Sequence, residues 1–196
     1  GIRFACEEYN VDLVGGDTTS SNSGLVVNVA ILGKVGEKEV AYRSGAKKGD
    51  VICVSGDLGA AYAGLLLLQK AKQDFANDSS AKPDLSGYSY VLQRQLMPHA
   101  RTEIISLLKS HDIVPTSMID ISDGLSSEIN HICKASKVGC IIYEDRLPIH
   151  EEVEKVAKEF ETAPALFPLS GGEDYELLFT ISMDDWKKLK ETNAVS

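Results

Sequence analysis

The sequence uses one chemical combination in three places: acidic side chains beside glycines and small hydroxyls. It occurs as Val-Gly-Gly-Asp-Thr-Thr-Ser-Ser at 14–21, as Met-Ile-Asp-Ile-Ser-Asp-Gly-Leu-Ser-Ser-Glu at 118–128, and as Ser-Gly-Gly-Glu-Asp-Tyr-Glu at 170–176. Glycine lets backbone approach a ligand closely and offers N–H donors with no side chain in the way. Carboxylates without a neighbouring histidine or thiolate suit a hard cation such as Mg²⁺, which commonly also takes phosphate oxygens. Together these point to a metal-bridged polyphosphate. Phosphoryl transfer is favoured over triad hydrolysis or redox chemistry.

Each motif also has a plainer reading. Asp123 stands where a strand becomes a helix, so it, Ser126 or Ser127 could simply cap that helix. Against this, Asp120 and Ser122 would project to one face of a strand while Ile121 points to the other. That places two carboxylates and a hydroxyl at the strand's C-terminal end, where ligands bind in α/β sheets. The run from Gly15 to Gly24 could be an ordinary loop, since it lacks the lysine of a Walker motif and the spacing of a dinucleotide fingerprint. The segment at 170–176 could be a turn entering a strand. Arg43 reads either as a solvated basic turn or as a phosphate clamp. His99, His111, His131 and His150 share no ligand spacing. No serine lies in a nucleophile elbow, and no thiol has an evident base partner, which disfavours covalent catalysis.

An apolar fraction of 43% with 25% charged residues describes a globular chain. A net charge of −9 argues against a nucleic-acid or anionic-membrane surface, so a bound phosphate must be held locally by metal, Arg43 and backbone amides. Cys6, Cys53, Cys133 and Cys140 form no zinc or C-x-x-C pattern. They read as reduced core residues of a cytoplasmic protein. The longest apolar stretch, Leu58 to Leu68, is too short to span a bilayer. The sequence starts without Met, inside what reads as a helix, so a piece of a longer polypeptide is expected.

These motifs need elements to position them. The expected order is a helix near Ile2–Tyr9, a strand at 11–14, and a strand at 25–35 that is apolar on both faces and therefore covered on both. There follow a domain junction near Gly45, a strand at 51–54, and a core helix at 57–73 capped by Ser55 or Asp57. An exposed loop spans 74–87, with helices at 88–97 and 102–109. Then come a strand at 117–121, a helix at 125–137, a strand at 138–143, a helix at 149–160, a strand at 176–182 and a helix at 184–192. Helices and strands alternate, but many connections are long, so α+β is preferred over a doubly wound sheet. The expected division is 1–45, the end of an N-terminal α/β domain with a dimerising sheet, and 46–196, most of a C-terminal mixed-sheet α+β domain.

Taken in order, five segments resemble thiamine-monophosphate kinase, of the aminoimidazole ribonucleotide synthetase-like superfamily. They are Gly-Gly-Asp-Thr-Thr-Ser at 15–20, Arg43-Ser-Gly-Ala with Gly49-Asp50, and Ser-Gly-Asp-Leu-Gly-Ala at 55–60. Asp-Ile-Ser-Asp-Gly-Leu at 120–125 and Ser-Gly-Gly-Glu-Asp-Tyr-Glu-Leu at 170–177 complete the set. The resemblance implies ATP-dependent phosphorylation of thiamine monophosphate to thiamine diphosphate, by direct Mg²⁺-assisted transfer without a phosphoenzyme. It implies that Gly16, Asp17, Arg43 and Ser122 meet the nucleotide, that Asp17, Asp120 and Asp123 hold magnesium, and that Glu173 faces the cationic thiamine.

The family carries further metal-binding aspartates upstream and substrate-enclosing residues downstream. This sequence is therefore expected to be inactive on its own, and the longer protein to be a homodimer joined through the strand at 25–35. Two other readings stand beside this one. One is another ATP-using enzyme of the superfamily, of the selenophosphate synthetase or hydrogenase-maturation dehydratase type. The other is a non-catalytic binding module.

Overall fold

In the computed structural model, residues 1–80 and 82–191 are described. The chain divides into two compact units, Gly1–Glu39 and Val40–Ser196. In the first, helix α1 (Ile2–Glu8) forms as expected, and its end is closed by the Tyr9 N–H donating to the Ala5 carbonyl at 2.9 Å. The strands expected at 11–14 and 25–35 are not formed. Leu25 and Leu32 are each 94% exposed. A strand is stable only when a neighbour takes its backbone N–H and C=O groups. Among the described residues of this unit none does, so β-propensity alone leaves the segment irregular.

The second unit is built on a three-stranded sheet of β1 (Val51–Val54), β2 (Ser117–Ile121) and β3 (Glu176–Ile181), in the order β1-β3-β2. Both pairings are antiparallel, with Val51 opposite Ile181, Ser117 opposite Thr180 and Ile121 opposite Glu176. The helices of the unit are α2 (Ala60–Asn77), α3 (Ser89–Leu96), α4 (Thr102–Ser110), α5 (Leu125–Ser136), α6 (Glu151–Glu159), α7 (Leu166–Ser170) and α8 (Met183–Glu191). The α+β class is the one observed.

Alternation along the strands sends side chains to two faces. On one face Ile52, Ile119, Ile121 and Leu178 pack with Leu125, Ile129 and Ile132 of α5. On the other, Cys53, Met118, Phe179 and Ile181 pack with Leu108 of α4 and Leu189 of α8. A helical layer joins Ala60, Ala63 and Leu67 of α2 to Val91 of α3, Val153 and Val156 of α6 and Phe167 of α7. Each fully buried Ile or Leu contributes about 1.5–3 kcal/mol, so these three clusters account for the unit's cohesion.

Several expectations are corrected here. Helix α2 begins at Ala60 and runs to Asn77, into the stretch expected to be loop. Neither Ser55 nor Asp57 caps it: the Asp174 carboxylate accepts from the Gly59 N–H at 2.7 Å and the Ala61 N–H at 3.2 Å. Ser55 instead donates to Glu176, and Asp57 accepts from the Tyr90 hydroxyl. The segment 138–143 is not a strand. Its entry is set by Lys137, which ends α5 in the left-handed conformation and lets the Val138 N–H return to the Cys133 carbonyl at 3.1 Å.

All four cysteines are free, but the core reading fails for Cys140, which is exposed, and Cys6 is only half-buried. Cys53 is half-buried too, packed in the cluster with Phe179 and Ile181, and desolvation pushes its thiol up to about 12. Residue 192, assigned to the last helix, and residue 81 of the 74–87 loop lie outside the described residues. No helix among those described is long and apolar enough to cross a membrane.

Candidate functional site

The segments 120–124 and 171–176 are distant in sequence and interlock in the fold. The Tyr175 N–H donates to the Ile121 carbonyl and the Glu173 N–H to the Ser122 carbonyl, both at 2.9 Å. A Cβ on Gly172 would come within 2.3 Å of the Ser122 carbonyl oxygen, and one on Gly124 within 2.9 Å of the Gly171 oxygen. Glycine is therefore required at both positions by the closeness of the two backbones. The conformation is strained as well as tight. Gly124 has φ 107°, and Glu173 and Tyr175 have φ 70° and 52°, values uncommon for residues with side chains. Strain of about 1–3 kcal/mol per residue persists only where the surroundings fix it, and it concentrates at ligand-binding positions.

This interlock gathers Asp120, Asp123 and Glu173, which sequence alone could not bring together. All three are exposed. The Tyr175 hydroxyl donates to Glu173 at 3.0 Å. That bond raises the Tyr175 pKa, reinforced by burial and by the negative charges of Glu173, Asp120 and Asp123. The two backbone bonds between the segments set the three exposed carboxylates on adjoining loops. Asp123 is not the helix cap that the plainer reading offered. Helix α5 starts from Gly124 with no side-chain cap, and the Asp123 backbone N–H donates to buried Glu128 at 3.3 Å. Asp123's carboxylate remains available to a ligand. Ser122 is half-buried beside it.

The other two acids of the 173–176 run have a different fate. Asp174 and Glu176 alternate with Glu173 and Tyr175 and face inward. Glu176 meets Arg94 at 2.7 Å and is held by Arg101, whose Nε lies 2.7 Å from it. Desolvation pushes its pKa up, but the bonds from Arg101 and Ser55 with the charges of Arg94 and Arg101 outweigh this and lower it. Asp174 goes the other way, to about 6, because burial exceeds the help of the Gly59 and Ala61 amides and Arg94. The Arg94 and Arg101 contacts were missed in the sequence reading. The period-two alternation entering β3 is the signal that separates outward Glu173 from inward Asp174 and Glu176.

Arg43 lies in the second unit and is exposed. Its neighbour Tyr42 accepts from the Met118 N–H at 2.8 Å, so the turn runs along the free edge of β2. Gly16 and Asp17 lie in the first unit, where the Asp17 carboxylate accepts from the neighbouring Thr18 N–H at 2.8 Å. Among the described residues no three acidic, imidazole or thiol groups converge closely enough to hold a metal unaided. Asp120 and Asp123 still fit Mg²⁺, because that ion is commonly held by one or two carboxylates, with water and substrate phosphate completing its shell.

Residues 47–185 match the family model described as AIR synthase related protein, C-terminal domain. The thiamine-monophosphate kinase of Bacillus subtilis (strain 168) is 34% identical over 197 residues, covering 99% of this chain and 56% of that protein. The chain thus spans about half the length of the curated relatives it matches. The solved structure of AaThiL complexed with AMPPCP and TMP superposes with a TM-score of 0.62 at 33% identity, over 74% of this chain and 43% of that one. The Escherichia coli hydrogenase maturation protein HypE superposes with a TM-score of 0.53 at 18% identity, over 76% of this chain and 40% of that one, which shows the fold alone.

Proposed function

The chain belongs to the AIR synthase related protein family through its C-terminal domain, and on that premise we propose that it forms part of a thiamine-monophosphate kinase. The reaction is transfer of the γ-phosphoryl group of ATP to the phosphate of thiamine monophosphate, giving thiamine diphosphate and ADP. The observation that carries this reading is the backbone interlock of 120–124 with 171–176 through the Tyr175–Ile121 and Glu173–Ser122 bonds, which sets exposed Asp120, Asp123 and Glu173 on adjoining segments. A bound Mg²⁺ would supply charge neutralisation at the phosphate oxygens, and in the second unit Asp120 and Asp123 would hold it. Gly16, Asp17, Arg43 and Ser122 position the nucleotide. Glu173, oriented by the Tyr175 hydroxyl, faces the thiamine cation.

Direct transfer needs positioning and charge neutralisation and no protein nucleophile. The attacking oxygen of the acceptor phosphate forms its bond to the γ-phosphorus as the bond to the ADP oxygen breaks. The strained, interlocked loops suit this, since they hold carboxylates at fixed places before any ligand arrives. The rest of the reading is also proposed: a domain junction near Gly45, a homodimer, a cytoplasmic setting, and no turnover by these 196 residues alone. HypE shares only the fold at its level of identity, so the kinase reading is preferred to the dehydratase one.

An assay for ADP and thiamine diphosphate, run on a polypeptide of the relatives' full length carrying these residues, tests the proposal. Both products must appear in equal amounts and depend on thiamine monophosphate. ATP consumed with no thiamine diphosphate formed, or at a rate independent of thiamine monophosphate, would overturn it.

A further inference from the structure

We propose that Tyr175 is a second contact for the acceptor substrate: its ring face takes the heteroaromatic cation whose charge Glu173 balances. The inference rests on the kinase reading above and deepens it, adding a residue that selects for the charged ring. Tyr175 is 39% exposed, and its hydroxyl donates to Oε2 of Glu173 at 3.0 Å, which leaves Oε1 open. The backbone bonds to Ile121 and Ser122 pin both residues, so ring and carboxylate stand together before a ligand arrives. Both also hold left-handed backbone, φ 70° at Glu173 and 52° at Tyr175. That conformation is uncommon for residues with side chains, and here it accompanies two exposed side chains flanking buried Asp174.

A second tyrosine–glutamate pair shows what such a pair meets elsewhere in this chain. The Tyr88 hydroxyl donates to Glu159 at 2.9 Å, and Lys70 donates to the same carboxylate at 2.6 Å. The Lys70 ammonium also lies 5.8 Å from the centre of the Phe160 ring. Carboxylate, phenol, aromatic face and cation are all supplied by the protein there. At Glu173 and Tyr175 the first three are present and the cation is not. Among the described residues no lysine or arginine pairs with Glu173, and no ring or cation lies over Tyr175. Tyr62, Tyr90 and Tyr143, by contrast, have Phe167, His150 and Arg146 against their rings.

An aromatic face attracts a cation through its quadrupole, and a flat delocalised cation can also stack on it. Donating the phenol proton to a carboxylate polarises the ring further in the same sense. A heteroaromatic cation therefore supplies both missing parts, charge for Glu173 and a flat positive face for Tyr175. A neutral ring of the same shape supplies only the second surface, without its charge, and Tyr175 thereby discriminates against it.

The test uses a polypeptide of the relatives' full length carrying these residues, with Tyr175→Leu, which removes ring and hydroxyl, and Tyr175→Phe, which keeps the ring. Affinities for thiamine monophosphate and for its uncharged thiazolone analogue are measured by equilibrium titration, alongside kcat and KM. In Tyr175→Leu, affinity for the cation should fall about tenfold and affinity for the neutral analogue about twofold. KM for thiamine monophosphate should rise in step, with a much smaller change in kcat and in KM for ATP. Tyr175→Phe should lose no more than about threefold, since the ring face remains. Equal losses for both ligands, equal losses in the two variants, or wild-type affinity in Tyr175→Leu would overturn the inference and leave the kinase reading standing. No thiamine diphosphate from the unsubstituted protein would overturn both.

Discussion

Two sets of carboxylates occupy the same pair of loops and meet opposite ends. Asp174 and Glu176 point into the fold, where one holds the first amides of α2 and the other sits between two guanidinium groups. Asp120, Asp123 and Glu173 point outward, and among the described residues neither Asp120 nor Asp123 forms a salt bridge. Burying a carboxylate is costly unless cations and N–H donors replace its water, so the inward pair comes with partners supplied by the protein. The outward three keep their water and their charge close together, an arrangement unfavourable by itself and relieved by an external cation. Structure and chemistry are thus divided between alternate residues of one short run.

The largest way to break this division is Glu176→Ala. It strands Arg94, whose side chain is 9% exposed, and Arg101 beside it. Removing one partner of a buried ion pair costs about 3–5 kcal/mol, so urea unfolding should show a loss of that size. Asp123→Asn should do the reverse. Stability should stay within about 0.5 kcal/mol, as for surface substitutions generally. In the proposed kinase reaction, turnover by a polypeptide of the relatives' full length carrying these residues should fall by about 10²–10³, as when one preorganised electrostatic contact is lost. Near-normal turnover at saturating Mg²⁺ would return Asp123 to a structural role.

Asp174→Asn sharpens the contrast through pH. The folded-state pKa of Asp174 is raised from 3.8 to about 6, so the neutral carboxyl is favoured by folding. Its contribution is full below 3.8 and lost as pH rises through about 6. The stability gap between wild type and Asp174→Asn should therefore shrink across that window, on top of about 1–2 kcal/mol for the weakened cap. Glu176 has the opposite sign: its lowered pKa gives stability that is present above 4.5 and lost on acidification. A gap that widens with rising pH would show that Asp174 is ionised in the fold. The smallest effect is that of Glu173→Ala, a roughly tenfold rise in KM for thiamine monophosphate with ATP affinity unchanged, the size of one charged contact.

The sequence was most readable where local signals agreed. Strand β2 and helix α5 lie where Asp-Ile-Ser-Asp-Gly placed them, because a β-rich run, a glycine and an amphipathic helix follow one another without conflict. Reading failed where the deciding partner lay elsewhere. The cap of α2 comes from Asp174, more than a hundred residues away, and nothing near Ser55 announces it. The runs at 25–35 and 138–143 have strand composition but no pairing neighbour among the described residues, so propensity without a ladder misled. Helix α7, short and containing Pro168, gave no periodic signal. Outward Glu173, Asp120 and Asp123 were each visible as candidates, but their convergence depends on the Tyr175–Ile121 and Glu173–Ser122 backbone bonds.

On this account Asp120 and Asp123 hold a magnesium–nucleotide beside Tyr175, with Glu173 reserved for the acceptor substrate, while buried Asp174 and Glu176 take no part in it. Paramagnetic broadening tests it most directly: Mn²⁺ with ATP is added to the full-length protein carrying a labelled Tyr175 ring, and its signals are followed by NMR. The account predicts strong broadening that needs both Mn²⁺ and ATP and disappears in Asp120→Asn with Asp123→Asn. A Tyr175 ring left sharp while ATP is bound, or broadened equally in the double variant, would contradict it.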